Sequence, residues 1–182
     1  EESFPEAELC IDHSHFLLPD RMEREEEILK RVGKQSAPQE RKRIVILGTQ
    51  VLEQSLNIDF DLLITDLCPM DLLMQRIGRE HRHERVRPHG LEKAVCVILN
   101  GDAEHLEDGA KSIYGAYLLK RTALLLPDEV VLPKDIAILV QRTYDETEGR
   151  GQLPQEYEEY NSLRKKKIRK AQEYCLEPPS SD

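Results

Sequence analysis

Apolar residues in the first hundred positions fall into short runs with sharp polar borders: Leu9-Cys10-Ile11, Ile44-Val45-Ile46-Leu47, Leu62-Leu63-Ile64 and the stretch Ala94 to Leu99. A continuous β-branched run such as 44–47 is the pattern of a strand covered on both faces in a parallel sheet. The intervals between the runs carry helical signals instead. Asp20 can cap a helix whose apolar residues Met22, Ile28, Leu29 and Val32 lie on one side, with Gly33 as its stop. Lys34 to Arg41 has no periodicity and reads as a loop. Gly48-Thr49-Gln50 leads into a short helix through Ser55. Pro69 opens a longer helix, suited to a first turn that needs no amide partner, which the pattern extends to about His83. Strands alternating with helices predict an α/β fold, a parallel sheet flanked by helices. Functional loops are then expected at the strand ends after Ile11, Leu47 and Ile64.

Past Asn100 the strand pattern stops. Residues 101–109 form an acidic, glycine-containing loop. A helix is expected over Lys111 to Leu125, and another from Pro133 carrying Ile136, Leu139 and Val140. Gly149-Arg150-Gly151 reads as a flexible joint. A last helix, about Gln155 to Cys175, places Tyr157, Tyr160, Leu163, Ile168, Ala171 and Cys175 at helix-like spacing. The domain plan is therefore residues 1–100 as the α/β domain, 101–150 as a helical extension packed on it, and 151–182 as a basic helix with a frayed tail.

Composition narrows the classes. At 39% hydrophobic and 34% charged, the 182 residues can fill a core under a very polar surface. The runs are too short to span a bilayer and the chain opens without a signal-peptide pattern, so a soluble, cytoplasmic protein with no membrane partner is expected. Cys10, Cys68, Cys96 and Cys175 form no C-x-x-C pair, and the first three sit among apolar neighbours, as buried free thiols do. The net charge of −9 and pI near 5.3 weigh against a polyanionic partner. The charge is segregated, however: acid crowds the front, while Arg76 to Lys93 and Arg164 to Lys170 are basic.

Candidate chemistry concentrates in three segments. In Gln75-Arg76-Ile77-Gly78-Arg79-Glu80-His81-Arg82, a helix would set Gln75, Arg79 and Arg82 on one face at i, i+4 and i+7. Fixed guanidiniums suit the spread charge of a transferring phosphoryl group, and Gly78 costs such a helix about 1 kcal/mol. A solvated basic face is the competing reading. The polar run from Gly48 to Asp61 leaves a buried strand and can hold phosphate oxygens or simply cap local backbone. Asp12-His13-Ser14-His15-Phe16 follows the first strand. The pairs His13/His15 and His81/His83 lack companion ligands at metal spacing, so no metal site is expected. Arg164 to Lys170 can track a nucleic-acid backbone or form a solvated face balanced by Glu156, Glu158 and Glu159.

These three segments, in this order, resemble motifs IV, V and VI of the second RecA-like lobe of superfamily-two helicases. The wording "HSHFLLPDR", "TQVLEQSLNIDFD" and "LLMQRIGREHRH" is similar to the CRISPR-associated helicase–nuclease of type I systems, as are "LPKDIAILVQRTYD" and the basic closing helix. The resemblance implies a partial RecA-like parallel sheet flanked by helices, one lobe of an ATP-dependent motor moving 3′-to-5′ on single-stranded DNA. Arg79 and Arg82 would be arginine fingers and Gln75 would order the nucleotide and its water. Asn57, Asp59 and Gly78 would lie at the nucleotide, and His13, Ser14, Thr49, Gln50 and Ser55 at the nucleic acid. Asn57 stands where the family more often has aspartate, and His15 where it has arginine. ATP and Mg²⁺ would be held mainly by a first RecA-like lobe. That lobe, a nuclease domain and a guide-RNA surveillance complex are the implied partners. The sequence holds no G-x-x-x-x-G-K-[ST] loop, no magnesium box and no histidine–aspartate nuclease cluster, and the first strand and helix of such a lobe are also not found. A fragment that does not hydrolyse ATP alone is the resulting expectation. Another superfamily-two RNA or DNA helicase, a non-catalytic binding or scaffold module, and a solitary nucleotide-binding protein are the alternatives.

Overall fold

The computed structural model describes residues 6–12, 16–49 and 57–174. It forms two compact units, residues 1–65 with 72–98, and residues 66–71 with 99–182.

In the first unit β1 (Glu8–Asp12) and β2 (Ile44–Gly48) pair in parallel, Leu9 opposite Val45 and Ile11 opposite Leu47. The crossover between them holds α1 (Leu18–Val32). Pro19 sits in its first turn, where a missing N–H is harmless. Leu17 occupies the N-cap and Asp20 lies inside the helix, so the expected Asp20 cap is not formed. Gly33 does end the helix, in extended backbone that bridges to Ile58 rather than in a left-handed turn. Only Ile28 and Val32, one turn apart, are buried on α1; with Ile58 they form a small core against Cys10, Ile44, Ile46 and Phe60. Met22 and Leu29, expected on the same apolar side, are exposed. The expectation of strands covered on both faces also gives way. Leu9, Ile11, Val45 and Leu47 alternate with the buried positions and are each more than 40% exposed.

The pairing of β3 (Leu63–Asp66) with β4 (Cys96–Leu99) advances in one direction, from the Leu63 amide on the Val95 carbonyl to the Leu67 amide on the Leu99 carbonyl. This strand pair is therefore also parallel, and the α/β class holds.

The helix after Pro69, α2, runs only from Met70 to Ile77. The sequence pattern extended it to His83, and the structure corrects this. The Gly78 and Arg79 amides close a tight last turn on the Met74 and Arg76 carbonyls. The Phe60 amide then takes the Arg79 carbonyl at 2.8 Å, the His81 amide takes the Phe60 carbonyl at 3.0 Å, and Phe60 and Glu80 form a bridge. Pairing across the chain has displaced the helical ladder, and His81 turns with φ 46°.

The second unit is helical beyond Leu99: α3 (Asp108–Tyr114), α4 (Ala116–Leu125), α5 (Ile136–Tyr144), α6 (Glu146–Gln152) and α7 (Pro154–Gln172). The single helix expected over 111–125 is broken at Gly115, whose φ of 83° favours glycine. The expected joint at 149–151 is instead the body of α6. Gly149 is buried there, and a Cβ on it would lie 1.8 Å from the Tyr117 Oη. Arg121 of α4 is fully buried: its guanidinium donates to the Arg142 and Thr143 carbonyls at the end of α5 and to Gln152, with Glu148 at 3.6 Å. It thereby satisfies carbonyls that a helix end leaves without partners. On α7 only Tyr157 is buried; Leu163 and Ile168 are exposed. Among the described residues no helix is long and apolar enough to cross a membrane.

Candidate functional site

The segment that leaves α2 carries the arginines, and its geometry follows from two aspartates. Residues 57–60 and 84–88 run without helix, and burial alternates from 81 to 88, so positions two apart share a side. Asp59 and Asp61 form one such pair, Arg85 and Arg87 another. The Asp59 carboxylate is fully buried. Its Oδ1 accepts the Arg82 amide at 2.9 Å and Arg87 Nη2 at 3.1 Å; its Oδ2 accepts Arg85 Nε at 2.7 Å and Arg41 Nη1 at 3.3 Å. Asp61 Oδ1 takes Arg41 Nη2 at 2.7 Å and Arg87 Nη1 at 2.8 Å. Three guanidiniums thus close on two carboxylates. Arg85 also reaches Ser36 Oγ and the Gly33 carbonyl, and Arg87 the His83 carbonyl at 2.6 Å. Burial works against the charge of Arg87, but the hydrogen bonds it donates to Asp61 and Asp59 outweigh it and raise its pKa. Such a cluster is held by geometry: removing one member leaves buried charge uncompensated, at about 3–5 kcal/mol.

The cage fixes what lies beside it. Arg82 has its amide on Asp59 and an exposed side chain, in register with the alternation along 81–88. Arg79 is half-buried, and its pKa is lowered, first by burial and then by the like charge of Arg82. Two guanidiniums that repel each other on a braced loop make a place where an anion is favoured. Glu80, between them in sequence, faces inward. Its Oε1 accepts the Val95 amide at 2.6 Å at the entry to β4, and burial raises its carboxyl pKa against that bond. Burial, then the Glu80 charge, pushes the neighbouring Cys96 thiol up to about 11, which makes it a structural thiol.

The remaining sequence candidates fall in different places. Gln75 is exposed on α2, which ends at Ile77, so the shared helical face with Arg79 and Arg82 does not exist; Arg79 stands in the closing turn and Arg82 on the segment after it. A Cβ at Gly78 would lie 3.2 Å from the Met74 carbonyl oxygen, a tight fit at the helix stop. Asn57 is exposed, while Asp59 is committed to the cage. Thr49 is exposed just past β2, its amide on the Asp12 carbonyl at 3.2 Å. Asp12, at the end of β1, is fully buried. His13, Ser14, Gln50 and Ser55 lie outside the described residues. Sequence reasoning missed Arg41, Asp61, Glu80, Arg85 and Arg87. The signal it could have used is the spacing of two in both Asp59/Asp61 and Arg85/Arg87.

The parallel α/β architecture is that of the C-terminal helicase lobe in solved Cas3 structures. The family model described as "CRISPR-associated nuclease/helicase Cas3, C-terminal" matches residues 1–85. The chain is 48% identical over 134 residues to the CRISPR-associated nuclease/helicase Cas3 of Streptococcus thermophilus, covering 73% of this chain and 14% of that protein. It is 39% identical over 165 residues to the Cas3 endonuclease/helicase of Thermus thermophilus, covering 87% of this chain and 17% of that one. Among solved structures, one titled as a CRISPR-associated protein superposes with a TM-score of 0.76 at 32% identity, over 93% of this chain and 21% of its own. T. fusca Cas3–ADP superposes at 0.74 and 33%, over 85% and 19%. The chain is a homologue of the C-terminal helicase region of Cas3 proteins and spans about a sixth of the length of the curated relatives it matches.

Proposed function

We propose that this chain is the second motor lobe of an ATP-driven, single-stranded-DNA translocase acting in CRISPR interference. In this reading Arg79 and Arg82 reach the γ-phosphate of ATP held with Mg²⁺ by a first RecA-like lobe, and Gln75 orders the attacking water. Asn57, Asp59 and Gly78 border the nucleotide, Asp59 by holding the loop rather than by touching it. Thr49, with His13, Ser14, Gln50 and Ser55, meets the DNA backbone. A nuclease domain and a guide-RNA surveillance complex are the proposed partners of the whole protein, and the cytoplasm its place.

The observation that carries this reading is the arginine pair itself. Arg79 and Arg82 share one short loop, burial and then the charge of Arg82 disfavour the Arg79 cation, and the buried Asp59 carboxylate pins the Arg82 amide. An arriving phosphate relieves that repulsion. Charge that develops in the transition state is stabilised best by groups that need not reorganise. The fit is to an anion on a facing surface, so the lobe alone does not hydrolyse ATP in this reading. T. fusca Cas3 structures are titled with ADP, AMPPNP and ATP, which supports a nucleotide as that anion.

The test is DNA-stimulated ATP hydrolysis by the complete protein, wild type against Arg79→Ala. An arginine finger contributes about 10³–10⁵ in rate, so kcat should collapse by orders of magnitude while nucleotide affinity changes only a few-fold. Unchanged hydrolysis overturns the finger role and leaves a non-catalytic lobe.

A further inference from the structure

All six tyrosines of the chain lie beyond residue 99, and four of them gather in the second unit. The Tyr117 and Tyr160 rings stack with centroids 4.9 Å apart and 28° between their planes, and Tyr157 meets Tyr117 edge-on at 5.6 Å. Tyr117 is 3% exposed, and its hydroxyl, lodged against Gly149, has no hydrogen-bond partner. Part of this arrangement is structural, since Tyr117, Leu118 and Tyr157 form the local core. Beside it opens a cavity of about 200 Å³ lined by Tyr117, Tyr144, Glu146, Tyr160 and Arg164. The lobe function proposed above assigns nothing to it.

Its size and lining restrict the occupant. A drug-sized pocket takes about 300–1,000 Å³, so this one admits a single planar ring system and not a nucleotide with its phosphates. The walls are aromatic where Tyr117 and Tyr160 contribute. The rim is rich in acceptors: the Glu146 carboxylate, which Arg164 keeps below the usual carboxylate range, and the oxygen of Tyr144, whose own proton goes to Asp71 Oδ1 at 2.7 Å. An occupant should therefore carry N–H groups on its edge.

What stands next to the cavity restricts the occupant further. Arg164, half-exposed at the rim, begins the basic stretch of α7 that continues through Lys165, Lys166, Lys167, Arg169 and Lys170, all exposed. At about 1.5 Å of rise per residue, Lys170 lies roughly 9 Å along the axis from Arg164. In a chain of net charge −9, such a run is a local positive field that favours a polyanion. An aromatic slot for one ring, beside a helix half that carries cations around its circumference, is the combination that binds unpaired nucleic acid: stacking for the base, cations for the backbone.

We propose that this cavity is a subsite for one nucleobase of an unpaired strand, bounded by Tyr160 and Tyr117, with the adjoining phosphates on the basic half of α7. The base edge faces Glu146 and Tyr144, so amino-bearing bases are preferred over thymine. The proposal deepens the single-strand reading of the lobe, and it stands or falls on binding rather than on hydrolysis.

The test is fluorescence anisotropy of labelled oligodeoxycytidylate and of an abasic deoxyribose-phosphate chain of equal length, titrated with the 182-residue chain. The base-bearing strand should bind about tenfold tighter, the size of one base–aromatic stack. Tyr160→Ala should remove that advantage without changing abasic binding, and Tyr160→Phe should keep it. Replacing Lys165, Lys166 and Lys167 by Ala should weaken both strands alike and flatten the dependence of log K on log salt by about 0.7 for each phosphate left without a cation. Should Tyr160→Ala fail to fold, the Phe variant and the abasic comparison still decide. Equal affinity for the two strands, or no binding at all, overturns the subsite. Displacement of the oligonucleotide by an acidic, aromatic-containing peptide at lower concentration also overturns it, assigning the cavity to a protein partner. Loss of the Arg79→Ala effect on hydrolysis would sink the motor reading and leave these binding outcomes standing.

Discussion

Single side chains in this lobe do two different jobs with the same chemistry. Asp59 and Glu80 are both acidic and both buried, but Asp59 is met by three guanidiniums and Glu80 chiefly by backbone amides. For Glu80, burial prevails over its hydrogen bonds from Val95 and Leu63, and the carboxyl pKa rises above 4.5. The folded state therefore binds the proton more tightly than the unfolded chain does. The Glu80 contribution is fully present below pH 4.5 and is lost as pH climbs through the raised value, because the unfolded state then holds fewer protons. Glu80→Gln should be free of this loss. Urea unfolding at pH 4.5 and at about pH 7 should show wild type losing ground to the variant at the higher pH. An unchanged difference between the two proteins would mean that Glu80 is ionised equally in both states.

At the scale of elements, the sequence is most readable where burial alone decides. The runs at 9–11, 44–47, 62–64 and 94–99 become β1 to β4 within one or two residues, because β-branched stretches bordered by polar residues have few other uses. Helix ends are less readable. The end of α2 at Ile77 depends on Phe60, seventeen positions earlier, capturing the Arg79 carbonyl and the His81 amide; no local pattern reports that. The arginine site suffers the same way: Arg79 and Arg82 are visible as residues, but the cage from Arg41 to Arg87 that braces them is long-range. Gly149 and Gly151 make the point testable, since both read as hinge glycines and both lie in α6. A methyl group at 149 collides with Tyr117, whereas nothing stands within 4 Å of one at 151. Helix propensity gains about 1 kcal/mol at either site, and overpacking costs about 1–3 kcal/mol at the first. Gly151→Ala should raise the thermal midpoint and Gly149→Ala should lower it. A rise in both would show that Tyr117 yields easily and that the tyrosine stack is loosely held.

For the whole molecule, net charge and exposed apolar surface oppose each other. Leu9 pairs with Val45 and Ile11 with Leu47 across the β1–β2 ladder, so four exposed apolar side chains form one contiguous patch on a single sheet face. Contiguous apolar surface favours association, whereas singly scattered residues do not. The net charge of −9 counters it by repulsion between copies, and this disappears near the pI of 5.3. Light scattering of the 182-residue chain should therefore be low at about pH 8, rise toward pH 5.3, and rise at fixed pH when about 0.5 M salt shortens the screening length. Ile11→Thr combined with Leu47→Gln leaves the charge alone and breaks the patch. If the patch is the contact, that double variant should stay dispersed across the same pH range, and its far-ultraviolet circular dichroism should match the parent. Scattering that follows pH identically in both proteins would assign the association to charge neutralisation alone. The apolar face would then be no more adhesive than the rest of the surface.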